Sequence, residues 1–171
     1  HIREYGDLDF NMHAFPSKKF FRKCLRVDVD IAVSKDLLKY NEIENCEWSF
    51  VVPNGVCRAN SERNDVEKEK FFLWASRISP EKNIDEMIEV FAKFCEDRMD
   101  YQFIILGSGE EKFVKSLQKL CARLDVAEQV RFMGFSSNVM DFMKRAKALI
   151  VASKAEGFGR MTAEAGFAGC M

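Results

Sequence analysis

The sequence is short of the features that mark several classes of function. It has two histidines, His1 and His13, and its six cysteines, at 24, 46, 57, 95, 121 and 170, include no C-x-x-C pair. That spacing argues against a structural zinc site and for reduced, small core residues of a cytosolic protein. Twenty-six basic and 27 acidic side chains leave a net charge of −1, so the chain carries no global footprint for nucleic acid. No apolar run approaches the roughly 20 residues that a membrane-spanning helix needs. There is no signal-peptide pattern, no internal repeat and no low-complexity tract. What is present is an apolar content of 47% beside 31% charged residues, enough to bury a core in one domain, or in one domain plus part of another. The chain starts with His and stops at Gly169-Cys170-Met171, directly after an alanine- and glycine-rich helix pattern. It is expected to be a piece of a longer protein.

From about residue 48 onward, apolar strands alternate with amphipathic helices. WSFVV (48–52) predicts a short strand, stopped by the turn Pro53-Asn54-Gly55. Residues 58–70 are polar and predict a loop. FFLWAS (71–76), YQFIIL (101–106), VRFM (130–133) and ALIVAS (148–153) predict buried strands. Between them, Ile84, Met87, Ile88, Phe91, Phe94 and Cys95 recur at helical spacing. Phe113, Leu117, Leu120, Cys121 and Leu124 do the same, as do Val139, Phe142, Met143 and Ala146. Asn83 with Glu86, and Ser108 with Glu111, have the spacing of capping boxes. A loop and helix are expected over 154–169. Unbroken apolar strands between amphipathic helices indicate a parallel sheet covered on both faces, an α/β doubly wound unit. Residues 1–47 read as the tail of a preceding domain, with DVDIAVS (28–34) strand-like and a helix beginning at Lys35–Tyr40. Lys18, Lys19, Arg22, Lys23 and Arg26 form a basic run for a membrane surface or an acidic acceptor, or simply a solvated helix face.

Ligands of such sheets bind beyond the carboxyl ends of the strands. The loops at 76–83, 106–110, 133–137 and 153–160 are expected to share that edge. Arg77 follows the strand 71–76 immediately and Lys82 lies in the same loop. Arg grips phosphate oxygens bidentately, and Lys adds a mobile point charge. Near the other end, Glu156 precedes Gly157-Phe158-Gly159, and Glu164 follows on the helix behind. The glycines allow tight turns and close approach to a ligand. Two carboxylates facing a diphosphate would repel it, so each makes sense against hydroxyls, for which carboxylates are good acceptors. Glu156 is assigned to a transferred sugar and Glu164 to ribose. No Asp-x-Asp pair occurs in the strand-end loops, so a metal-independent mechanism is the simpler reading. Each piece alone is weak: an arbitrary Arg or Lys is usually a surface charge, and Gly107-Ser108-Gly109 lacks the third glycine of G-x-G-x-x-G, since Lys112 stands there.

Together these residues resemble the GT-B glycosyltransferases of family 4, the "group 1" glycosyltransferases. The resemblance runs through IAVSK (31–35), VVPNGV (51–56), SRISPEKN (76–83), FIILGSGEE (103–111), VRFMGF (130–135) and VASKAEGFGRMTAEA (151–165). The last motif carries a Glu, seven residues, and a second Glu, at Glu156 and Glu164. The sequence departs from the family pattern at Ala152, at Gly166-Phe167 and at Met171, changes that affect packing more than polar chemistry.

The resemblance implies a two-domain enzyme with a Rossmann-like sheet in each half. Residues 1–52 would be the tail of the acceptor-side half, and 53–171 the nucleotide-sugar-binding half, cut short at its C-terminus. It implies transfer with retention at the anomeric carbon, from a nucleoside-diphosphate sugar to a carbohydrate or lipid-linked acceptor, without a cofactor or metal. Glu156, Arg77 and Lys82 would be catalytic. Gly107, Gly109, Gly157, Phe158, Gly159 and Glu164 would bind the donor. Arg131 to Gly134 would lie near the base, and His1 near the acceptor side. The expected place is the cytoplasm, with peripheral contact at the cytoplasmic membrane through the basic run. Three other readings use the same residues: a nicotinamide enzyme built on Gly107-Ser108-Gly109, a nucleotide-sugar epimerase of the same architecture, and a non-catalytic binding module. The first needs an acid at the end of the next strand, where the sequence has Phe132-Met133-Gly134-Phe135.

Overall fold

The computed structural model describes residues 29–45, 47–56, 66–154 and 156–171. His1, His13, Cys24, Cys46, Cys57 and the basic run from Lys18 to Arg26 lie outside the described residues. The chain divides into two compact units, one of residues 1–56 and 155–160, the other of 57–154 and 161–171.

In the first unit, β1 (Asp30–Ala32) and β2 (Ser49–Val51) pair in parallel, with α1 (Lys35–Tyr40) between them in the chain. The helix starts where Ser34 turns extended and its hydroxyl accepts from the Leu37 N–H at 3.3 Å, a cap for an otherwise orphan donor. Ala32, Val33, Leu37, Leu38 and Ile43 form its small core.

The second unit is a four-stranded parallel sheet. Its strands are β3 (Phe71–Ala75), β4 (Gln102–Leu106), β5 (Val130–Gly134) and β6 (Ala148–Leu149), in the spatial order β5-β4-β3-β6. The helices are α2 (Ile84–Cys95), α3 (Glu111–Arg123), α4 (Val139–Arg145) and α5 (Arg160–Phe167). Alternation along the strands sorts the core. Trp74, Phe103 and Ile105 pack with Ile84, Ile88, Phe91, Leu117 and Cys121 of α2 and α3. Phe71, Leu73, Ala75, Ile104 and Leu106 pack with Met143 and Ala165 of α4 and α5. Both faces of β3 and β4 are therefore covered, which is why these strands read as unbroken apolar runs. Cys95, Cys121 and Cys170 are buried and free, and burial pushes the Cys121 thiol up to about 11. Among the described residues, no helix is long and apolar enough to cross a membrane.

The outer strands differ from their sequence pattern. β5 alternates: Val130 and Phe132 pack into the cluster of α2 and α3, while Arg131 and Met133, on the other face, are exposed. β6 ends after Leu149 rather than at Ser153. The Leu149 N–H donates to the Met171 carbonyl at 2.7 Å, Ile150 makes one further bond to Leu73, and Val151 is exposed.

Both expected capping boxes are also corrected. Asn83 does precede α2, but in the left-handed region (φ 52°) and with no side-chain cap bond. The residue before α3 is Glu110, not Ser108. Ser108 and Gly109 stay extended because Ile78 pairs with them, its N–H donating to the Ser108 carbonyl at 2.9 Å.

At the far end of α3, Asp125 sits at φ 57° while the Val126 N–H reaches the Cys121 carbonyl at 3.0 Å. That turn favours glycine. Asp125→Gly is expected to raise stability by roughly 0.5 kcal/mol, strain relief outweighing the extra freedom glycine gives the unfolded chain. Urea denaturation checks this, and a lowered midpoint would contradict it.

Candidate functional site

The strand order reverses at β3. β4 and β5 lie on one side of it and β6 on the other. In open parallel sheets, this reversal opens a crevice beyond the carboxyl ends of the two strands that flank it. Here those strands are β3 and β6, so the loops that matter begin at Ser76 and at Ile150.

The loop after β3 carries Arg77 and then a single 3-10 turn, Pro80–Lys82, with Lys82 half-buried. The Arg77 side chain is 66% exposed and pairs with Glu81, Nη2 to Oε1 at 3.1 Å. The same Glu81 oxygen accepts from the Ser79 hydroxyl at 2.7 Å. That hydrogen bond, with help from a backbone N–H and the Arg77 guanidinium, holds the Glu81 carboxyl below the usual carboxylate range, so it stays charged at neutral pH. The loop after β6 is tied to this turn, for the Lys154 N–H donates to the Glu81 carbonyl at 3.2 Å.

The neighbouring loops are joined past the strand ends. Ser76 donates to the Leu106 carbonyl at 3.1 Å, and Gly107 donates to the Gly134 carbonyl at 2.8 Å. With the Ile78–Ser108 bond, the ladder continues from β3 through β4 to β5 into what the sequence reads as loops. This explains Gly107 and Gly109. Gly107 has φ +145°, and a Cβ there would fall 1.8 Å from the Ser76 carbonyl oxygen. A Cβ on Gly109 would fall 2.1 Å from the Ile78 carbonyl oxygen. Both glycines are required by backbone packed against backbone.

Two cavities open on this edge, and Arg77 borders both. One, of about 610 Å³, is lined by Arg77, Ser79, Glu81, Gly109, Lys112 and Phe113, among others. The other, of about 340 Å³, is lined by Ser76, Arg77, Gly107, Ser108, Phe135 and Met161, among others. Phe135 is 82% exposed just beyond β5, beside the predicted Arg131–Gly134 segment. The structure thus brings Arg77, Gly107 and Gly109 to one edge, with Lys82 on the adjoining turn. Glu164 is half-buried in the second turn of α5. Glu156, Gly157, Phe158 and Gly159 fall in the 155–160 stretch that groups with the first unit. There Glu156 is exposed, and Gly159 adopts φ +71° directly before α5 begins.

Sequence reasoning missed Ser79, Glu81 and Phe135. The first two carried a usable signal, an acceptor and a hydroxyl flanking Pro80 within reach of Arg77. Phe135 closes the motif VRFMGF in the strand-end loop 133–137, but nothing in that pattern marks its ring as exposed.

The family model for glycosyl transferases group 1 matches residues 58–171. The chain belongs to this family. Its sheet is that of a GT-B glycosyltransferase, and the nicotinamide reading falls away. Among curated proteins, the chain is 34% identical over 108 residues to the D-inositol 3-phosphate glycosyltransferase of Streptomyces scabiei, covering 57% of this chain and 24% of that protein. It is 31% identical over 97 residues to the N-acetylgalactosamine-N,N'-diacetylbacillosaminyl-diphospho-undecaprenol 4-alpha-N-acetylgalactosaminyltransferase of Campylobacter jejuni, covering 57% and 25%. The chain thus spans about a quarter of the length of these relatives. In fold it is similar to Anabaena HepE in complex with UDP and glucose, with TM-score 0.76 and 22% identity over 92% of this chain and 48% of that one. It is likewise similar to a variant of S. aureus TarM in complex with fondaparinux, alpha-GlcNAc-glycerol and UDP, with TM-score 0.77 and 22% identity over 90% and 31%.

Proposed function

We propose that this chain is the donor-binding part of a retaining hexosyltransferase. The reaction moves a sugar from a nucleoside-diphosphate sugar to a carbohydrate or lipid-linked acceptor, as in polysaccharide biosynthesis. One observation carries the reading: Arg77 and the turn bearing Lys82 stand at the reversal point of a parallel sheet, where anionic ligands of such sheets bind. The solved structures of similar fold with UDP and sugars bound support it.

The chemistry follows from where charge develops. As the glycosidic bond breaks, the departing diphosphate gains negative charge. Arg77 and Lys82 meet that charge with fixed and mobile cations, so no metal is required of the site. Glu156 accepts hydrogen bonds from hydroxyls of the transferred sugar, and the backbone of Gly157, Phe158 and Gly159 allows it close approach. Glu164 accepts from ribose hydroxyls. Gly107 and Gly109 serve by shaping the loops beside Arg77.

Calorimetric titration of the full-length protein with nucleoside diphosphates tests the cationic half. Arg77→Ala and Lys82→Ala are each expected to weaken binding about 10- to 100-fold, as the loss of a charge-assisted hydrogen bond does. Unchanged affinity in both variants would sink the assignment.

A further inference from the structure

Glu81 is out of place by charge alone. A carboxylate beside a cation that is to meet a diphosphate opposes the incoming charge. Yet this residue is built in. Its Oε1 accepts from Ser79 at 2.7 Å and from Arg77 at 3.1 Å, and its backbone carbonyl accepts from Lys154 at 3.2 Å. Pro80, at the start of the 3-10 turn, presets the backbone between Ser79 and Glu81. Two opposing effects are therefore at work. The negative charge lowers the attraction for an anion. The pin restricts a long, largely exposed side chain, and so removes ordering cost at the moment of binding. A guanidinium has five N–H donors, so one bond to Glu81 leaves others for phosphate oxygens.

We propose that Glu81 is a positioning residue: held by Ser79, it fixes the Arg77 guanidinium in the orientation that receives the donor diphosphate, and it acts only through Arg77. The proposal rests on the diphosphate role given to Arg77 above. It adds to that reading a residue that never touches the donor.

Substitutions separate the two effects. Glutamine keeps an acceptor for Ser79 and Arg77 and removes the charge, whereas alanine removes the pin. The measurement is calorimetric binding of UDP, GDP and ADP to the full-length protein, with the tightest ligand carried through the series. Glu81→Ala is expected to weaken binding about fivefold, the size of coupling that contacting residues show. Glu81→Gln is expected to stay within about twofold of the parent, since the hydrogen-bonded geometry survives. In an Arg77→Ala background, Glu81→Ala is expected to change affinity by less than about twofold, because its only route of action is gone. A full additional loss in that background would mark a merely structural role and overturn the proposal, as would tighter binding by Glu81→Ala. If Arg77→Ala alone binds like the parent, or if the parent binds none of the three nucleotides, the diphosphate role given to Arg77 fails, and this proposal with it.

Discussion

Gly107→Ala and Gly109→Ala are each expected to destabilise the protein by about 3 kcal/mol, the upper end of the cost of forcing added atoms into packed structure. The space is occupied by backbone, not by a side chain that can swing away. A Cβ at Gly107 would stand 1.8 Å from the Ser76 carbonyl oxygen and 2.9 Å from its carbon, at a φ of +145° that L side chains rarely adopt. At Gly109 the Ile78 carbonyl oxygen would be 2.1 Å away and the Ile78 Cβ 2.8 Å. Relief requires the 76–78 segment to part from 107–109, which breaks the Ile78–Ser108 bond and moves Arg77, the residue between the two clashes. Thermal unfolding reads the stability. Melting temperatures like the parent's in both variants would mean that the loops are not joined as described.

Glu156→Ala is expected to separate two quantities that Arg77→Ala moves together. Sugar transfer by the full-length enzyme should fall about 100-fold, the size of a lost charge-assisted hydrogen bond at the reacting sugar. Nucleoside diphosphate affinity should stay within about threefold, since the assigned contact is to sugar hydroxyls and not to the leaving group. The comparison needs steady-state rates with the sugar donor and calorimetry with the bare nucleotide. Equal losses in both would place Glu156 at the diphosphate or in the fold, and no loss in either would remove it from the site.

The parts of the fold that sequence revealed are those whose cause is local or periodic. FFLWA and QFIIL are covered on both faces, so continuous apolar composition was a sufficient sign. The helix over 84–95 announced itself by the recurrence of Ile84, Ile88, Phe91 and Cys95, all of which are buried. The errors have distant causes. Ser108 looks like a helix cap, but its backbone is engaged by Ile78, thirty positions earlier, and no local pattern shows that. ALIVAS looks like a full strand, but it meets β3 over only two residues before it diverges. Of the candidate site, Arg77 and Lys82 were legible because each stands in a strand-end loop of an alternating pattern. The glycines at 107 and 109 were legible as glycines but not in their reason. They suggested a loop shaped for a ligand, and the structure gives them a neighbouring backbone to fit.

The continuation of the ladder beyond the strands, with the Lys154–Glu81 bond at its far side, bears on the kinetics of capture. A loop that must fold around its ligand slows association, because most encounters find it in the wrong arrangement. Here the segments after β3 and β4 hold one another by main-chain bonds, Gly107 is held by the end of β5, and the turn after β3 is also held from the loop after β6. For the diphosphate proposed above, such an edge is already formed, so its on-rate is expected to be set by diffusion and charge, and differences in affinity among ligands to fall mainly on how slowly each one leaves.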